Sequence, residues 1–283
     1  MLNIKERQNK EDILKKIFAA GKYYDYAGNL ELVSFIACVI NVVVSYLFPN
    51  ESYMIYITTV FVFIEGMCDY SKSHMINLGA QIKNYIDRTL FGMLDNKCTD
   101  AYCDAKMVEK IDKICNKYNK KFERRKNVDG FQKGVRDWYI LNEHYTDDLR
   151  CVYDCQKQNK EFDKPITRWN KIFVVAISFI TLIVIFTSSN IPLLFCVSLP
   201  LISKIIKNVV ILYQHNNIMV SIDVICSQIN NGNLTNEKIK ELQIYIEKRR
   251  YMDFSTFSVI YNIYRKKLHR ITKYAVMSND KGA

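Results

Sequence analysis

The chain has 283 residues, of which 49% are apolar, 24% charged and 13% aromatic, with a formal net charge of +11 and a mean hydropathy of −0.10. Only nine glycines and four prolines stand beside that aromatic content, which excludes collagen-like, disordered and disulfide-miniprotein classes. The near-neutral mean hides segregation, because Leu32–Asn50 (19 residues), Ser52–Ile64 (13 residues) and Ile172–Ser203 (32 residues) carry no charge.

Residues 1–29 are charged and amphipathic and predict an N-terminal cytoplasmic helix, with no signal-peptide pattern of a short apolar core and a small-residue cleavage site. Residues 30–69 predict a first transmembrane hairpin. Leu32–Phe48 is long enough to cross roughly 30 Å of hydrocarbon, Pro49–Ser52 is the turn, and Tyr53–Cys68 returns, interrupted by Glu65. Residues 70–171 predict a cytoplasmic helical region. Met75, Leu78, Ile82, Ile86 and Leu90 recur at three and four, so the second span continues as a helix to about Leu90; Met107, Ile111, Ile114, Tyr118 and Phe122 repeat the pattern. Thr146 before Asp147 and Asp148 marks a helix start, and Pro165 is expected to open the helix that becomes the third span.

Residues 172–214 predict the second hairpin, broken at Ser188, Ser189, Asn190 and Pro192, with Lys204 and Lys207 near the inner boundary. In residues 215–283 the fourth helix runs on through Ile229 until Asn230–Asn233 stop it. A capped helix over 236–250 and a last one over about 255–274 follow. Neither hairpin turn holds any of the 40 basic residues, whereas Lys22, Lys72, Arg168, Lys171, Lys204 and Lys207 flank the spans, which places both termini in the cytoplasm. The expectation is an all-α, multi-pass membrane protein with two transmembrane helical hairpins and a helical cytoplasmic body.

Motifs for catalysis are lacking: no GxGxxG, P-loop, GxSxG or HExxH occurs, and the four histidines lie far apart, so no enzyme and no cofactor is expected. Cys98, Cys103, Cys115, Cys151 and Cys155 lack paired CxxC spacing, so no metal is expected either. Basic clusters carry more. Lys117, Lys120, Lys121, Arg124, Arg125 and Lys126 surround Tyr118 and Phe122; Lys248, Arg249 and Arg250 form a second group, and Arg265–Lys273 a third. Such groups suit a solvated helix face, anionic lipid or a nucleotide whose phosphates pair with cations and whose bases stack on aromatics. In the spans, Asn41, Ser45, Thr58 and Glu65 either bond between helices or line a conduction path.

Four short motifs resemble a known family. They are Arg7-Gln8-Asn9 followed by Ala19, Ala20, Tyr23, Tyr24 and Ala27; Asp137-Trp138-Tyr139; Cys155, Gln156 and Asn159 leading to Asp163, Arg168 and Trp169; and Leu242, Gln243, Tyr245 and Arg249. Placed in this order around two hairpins, they resemble the SMODS-associating four-transmembrane effector family over nearly the whole chain. Lys157 supplies the expected basic residue after Gln156. Glu161-Phe162 departs from an expected aromatic pair, and Tyr251–Phe254 from an expected proline-containing segment.

The resemblance implies an effector of bacterial antiphage defence in the inner membrane, functionally linked to a cyclic-nucleotide synthase. A cyclic oligonucleotide second messenger would activate it to disrupt the bilayer as a homo-oligomer, with no DNA or RNA binding. Arg7, Gln8, Asn9, Arg136, Trp138, Tyr139, Gln156, Lys157 and Asn159 are the candidate ligand-binding residues, although Trp138 is also a natural core anchor and Arg7 and Asn9 could instead fasten the N-terminal helix. The alternatives are a non-conducting scaffold that recruits a cytoplasmic partner and a constitutive ion channel.

Overall fold

The computed structural model describes residues 3–48, 53–94, 104–129, 134–139, 141, 147–187 and 191–253. Among them the structure is all-helical: α1 (Ile4–Gln8), α2 (Glu11–Leu47), α3 (Met54–Leu90), α4 (Ala105–Lys117), α5 (Asn119–Lys126), α6 (Asp148–Phe186), α7 (Ile191–Asn230) and α8 (Asn236–Arg250). The turns at 49–52 and 188–190, the C-terminal helix expected at 255–274 and the third basic cluster fall outside the described residues.

Four of these helices are 37 to 40 residues long, which at 1.5 Å per residue makes each about 55–60 Å. They run up, down, up and down. Thr58 bonds to Asn41, Lys72 to Glu31 and Arg7 to the carbonyl of Thr89, so α3 descends as α2 rises. Lys171 meets Asn216, Lys160 meets Asp223 and Tyr153 meets Asn230, so α7 descends beside α6. Gly79 permits the close approach in the first pair, because a Cβ there would lie 3.0 Å from the Tyr24 ring.

Each long helix has two halves with opposite relations to its surroundings. In one half the apolar side chains point outward: Val33, Ile36 and Val43 on α2, Ile55, Val60 and Phe63 on α3, Val175, Phe179 and Phe186 on α6, and Phe195, Ile206 and Val209 on α7 are all exposed. In the other half they point inward, and Phe18, Ile82, Tyr153 and Ile222 join α1, α4, α5 and α8 in one core. An exposed belt of this size on folded helices is lipid-facing surface. Among the described residues three helical segments, Glu11–Leu47, Thr167–Phe186 and Phe195–Asn230, are long and apolar enough to cross a membrane. α3 does not stand out in the same way, because Glu65 and Asp69 dilute its first half.

The ends of the elements follow local chemistry. Gly232 adopts φ +98° just past α7, where an L side chain would be strained, and so stops the helix. Thr235 caps α8 through the Lys238 amide. Two expectations change. α6 starts at a cap supplied by Asp147, whose carboxylate accepts the Leu149 amide, while Thr146 lies outside the described residues. Pro165 does not open a helix: α6 runs through it without a break, since its two flanks are held by the core on one side and the belt on the other. α2 passes from the core into the belt as one helix.

Candidate functional site

The sequence motifs converge on one buried polar network in the core half. Gln8 and Tyr139 pair reciprocally, the Gln8 Nε2 donating to the Tyr139 carbonyl at 3.2 Å and the Tyr139 amide donating to Gln8 Oε1 at 2.9 Å. Asn9 does the same for Asp137, accepting its amide at 2.9 Å and donating to its carboxylate at 2.7 Å. Asp137 needs that support, because its φ of 44° is uncommon for a residue with a Cβ. The Tyr139 hydroxyl donates to Asp87 at 2.6 Å and accepts from Asn159 at 3.1 Å. Burial, then the neighbouring Asp87 carboxylate, pushes the Tyr139 pKa well up.

Asp87 is also held by α8, through the Arg250 guanidinium at 2.7 Å, which in turn donates to Asn84 at 3.0 Å. One turn earlier, Glu247 takes a two-pronged bond from Arg88 at 2.7 and 2.9 Å. Gln243 donates to Glu247 and accepts from Gln156, whose amide also reaches the Ile239 carbonyl. Thus α1, residues 137–139, α3, α6 and α8 are joined by one chain of polar bonds.

Of the candidate ligand residues, Gln8, Tyr139 and Gln156 are buried and bonded within the chain, and Asn9 and Asn159 are partly buried and bonded. Arg7 donates to the Thr89 carbonyl. Trp138 is half-buried with the Lys83 ammonium 5.1 Å from its ring, Arg136 is exposed, and Lys157 is half-buried. The contacts of Arg7, Gln8 and Asn9 fasten α1 to the core. Arg249 and Arg250, read from sequence as part of a basic cluster, are buried.

A second polar assembly marks the base of the belt. Lys72 bonds Glu31 at 2.7 Å and approaches Asp69 at 3.8 Å and Asp253 at 3.5 Å. Lys204 bonds Ser34 at 2.7 Å and Asp69 at 2.8 Å, with Glu31 at 3.7 Å, and Lys207 meets Asp69 and Asp253. Three cations and three anions therefore balance between α2, α3, α7 and the residues after α8. Glu31, Lys72 and Lys204 are almost fully enclosed, so removal of any one would leave an uncompensated charge. Tyr70, Trp169 and Tyr213 are exposed at the same level, as amphipathic aromatics are at a membrane interface. Within the belt, Asn41 accepts from Thr58 at 3.1 Å and donates to the Val197 carbonyl at 3.4 Å. Ser45 is buried and its hydroxyl has no partner, and Glu65 is half-buried.

The sequence offered no route to the pairs Glu31–Lys72, Arg88–Glu247 and Asp87–Arg250, whose members lie 41, 159 and 163 residues apart. The only available signal was the presence of ionisable residues beside uncharged runs.

These features define a helical membrane protein whose lipid-facing belt and polar-cored body are built from the same long helices. The model of the SMODS-associating 4TM effector domain matches residues 2–278, and the chain belongs to this family, a membrane effector domain of SMODS-linked cyclic-nucleotide defence signalling. No curated protein and no solved structure matches it.

Proposed function

We propose that this protein is a ligand-gated membrane-disrupting effector: a cyclic oligonucleotide binds the body, and the belt helices of several copies rearrange to breach the bacterial inner membrane. The observation that carries this reading is the continuity of the four long helices from body to belt. No hinge loop separates the two halves, so a change in the body displaces the spans directly. α3 crosses as well in this reading, because it is bonded to α2 in the belt through Thr58 and Asn41 and exposes apolar residues there. Both termini and the body lie in the cytoplasm, where the basic flanks belong.

α8 is the coupling arm. Its Glu247 and Arg250 grip α3 in the body, and three residues beyond Arg250 the Asp253 carboxylate reaches Lys72 and Lys207 at the base of the belt. A ligand that binds the displaced arrangement of α8 more tightly than the resting one draws Asp253 away and unbalances the boundary charges; equal affinity for both would shift nothing. Four spans are too few to enclose a wide path, so copies assemble through the exposed belt. Asn41, Ser45, Thr58 and Glu65 then exchange internal bonds for the water of the opening. No catalytic step is needed.

Dye-loaded liposomes carrying the protein test this with a panel of cyclic di- and trinucleotides. Release confined to one or a few of them is expected. Absence of release with every member, joined to absence of binding by calorimetry, ends the effector reading, and release without ligand makes the protein a constitutive channel.

A further inference from the structure

The basic run of α4 and α5 does not lie along a uniform solvated face. Folding brings part of it against α2 and two tyrosines. The Lys22 ammonium, on a side chain only 8% exposed, rests 4.5 Å from the centre of the Tyr118 ring. The Lys117 ammonium lies 5.5 Å from the same ring and 5.9 Å from that of Tyr26, and the two phenol oxygens meet at 2.6 Å. Lys121, one helical turn past Tyr118 at the start of α5, brings a third ammonium beside that of Lys22. The acid facing this group is Asp25, 3.6 Å from Lys22. Tyr118 provides no side-chain cap for α5, so the positive end of that helix adds to the same spot.

We propose that Lys22, Lys117 and Lys121, with the Tyr26–Tyr118 pair, form a binding site for a phosphodiester anion flanked by planar bases. The proposal rests on the cyclic-nucleotide reading above and gives it a place. Three ammoniums gathered around one carboxylate repel each other until an anion arrives. That repulsion is visible in Lys121, which is held down to about 8 first by the Lys22 ammonium beside it and then by burial, with Arg125 adding and Asp25 opposing. The ring faces are occupied by the same ammoniums, but an ammonium over an exposed ring gains less than one donating to a charged oxygen. An arriving phosphate therefore draws the lysines off the rings, and the bared faces of Tyr26 and Tyr118 become stacking platforms, which any base can use.

A lipid headgroup carries the same phosphodiester, and position along α2 separates the two sources. Lys22 precedes Glu31, at the base of the belt, by nine residues of unbroken helix, which is about 14 Å along the axis. The headgroup layer on one side of a bilayer is roughly 5–7 Å deep. The site thus hangs below the headgroups, within reach of a dissolved nucleotide.

The test uses the full chain in phosphate-free detergent micelles and in vesicles. At pH about 8 an amine-acylating reagent should modify Lys121 faster than the exposed, ion-paired Lys113, and pyrophosphate should protect Lys121 and Lys117 at least severalfold. Equal labelling with and without pyrophosphate overturns the site. Vesicles of phosphatidylcholine alone and with equal parts of phosphatidylglycerol provide the lipid arm: protection by phosphatidylglycerol together with none by cyclic dinucleotides would assign the site to lipid and overturn the nucleotide proposal. In dye release, Lys117→Glu/Lys121→Glu should raise the required nucleotide concentration at least about tenfold, and Tyr118→Leu should weaken nucleotide binding while sparing pyrophosphate protection. A double variant that responds like the wild type refutes the site and leaves the effector reading standing. Failure of the wild type to release dye with any nucleotide counts against that reading alone, and the pyrophosphate measurement still decides the site.

Discussion

Substitution of Arg250 offers the sharpest test of the idea that α8 is fastened to α3 by charge. The Arg250 side chain is 6% exposed and that of Asp87 is 4% exposed, with 2.7 Å between the bonding atoms. Arg250→Met keeps most of the packed volume but removes the bonds to Asp87 and Asn84 and leaves the Asp87 carboxylate buried with the Tyr139 hydroxyl as its remaining donor. Breaking one side of a buried pair costs about 3–5 kcal/mol. The retained Tyr139 bond and the added apolar contact reduce this, so about 3 kcal/mol is expected, or roughly 150-fold in the unfolding equilibrium. Asp87→Asn/Arg250→Met removes both charges and keeps an acceptor for Tyr139, so its cost should fall to about 1 kcal/mol. The measurement is guanidinium unfolding in detergent micelles, followed by circular dichroism, for the wild type, both single variants and the double variant. A double variant as unstable as Arg250→Met, or a single variant within about 0.5 kcal/mol of wild type, would falsify the view that this pair holds α8 in place.

Four further outcomes are expected. Gln8→Leu strips the partners from both the amide and carbonyl of buried Tyr139 and should cost about 2–3 kcal/mol, read by the same unfolding experiment and by faster protease cleavage near the N-terminus. Tyr139 keeps its proton in the folded chain while an unfolded tyrosine loses it near pH 10. The folded chain therefore binds the proton more tightly, and stability should be level below pH about 10 and decline above it; in Tyr139→Phe this decline should shrink, and an unchanged alkaline profile would contradict the assignment. Lys204→Met leaves Glu31 and Asp69 short of a cation at the base of the belt and should lower the nucleotide concentration needed for dye release, whereas Lys204→Arg should stay near wild type. Asn41→Leu removes two bonds between belt helices; such bonds average about 0.6 kcal/mol each, so the release curve should move only severalfold, with folding intact by circular dichroism.

Helix lengths were legible because their stop signals are local. The Asn230–Asn233 run with Gly232 ended α7 where the sequence indicated, and the apolar period from Met75 to Leu90 carried α3 to its observed end. Pro165 misled because a local breaker was outweighed by packing on both sides of it. The site was half legible. The motifs did identify residues that meet in space, yet residue types cannot reveal whether an amide such as that of Gln8 is satisfied by a ligand or by the backbone of Tyr139. Basic clusters divide in the same manner: Arg250 turns inward to Asp87, whereas Lys117 rests on the rings of Tyr118 and Tyr26. That difference depends on partners far apart in the chain, 163 residues for Arg250 and Asp87 and 92 for Tyr26 and Tyr118.

The bond-by-bond register of α2 against α3 restricts how the molecule can move. Thr58–Asn41 in the belt and Lys72–Glu31 at its base are set along the same pair of helices, and Arg7 of α1 bonds Thr89 at the far end of α3. A slide of α2 against α3 by a single turn, about 5.4 Å, would break the first two at once, in the belt and at its base. The first pair must then travel as one beam. The seam between α2 and α7 is crossed by different bonds, Asn41 to the Val197 carbonyl and Lys204 to Ser34 and Glu31. Two of these three end on a single lysine, so one side chain's release would remove most of the polar hold of that seam and leave Asn41 and the Cys38, Val42 and Leu201 packing as a pivot, while each pair keeps its own internal alignment.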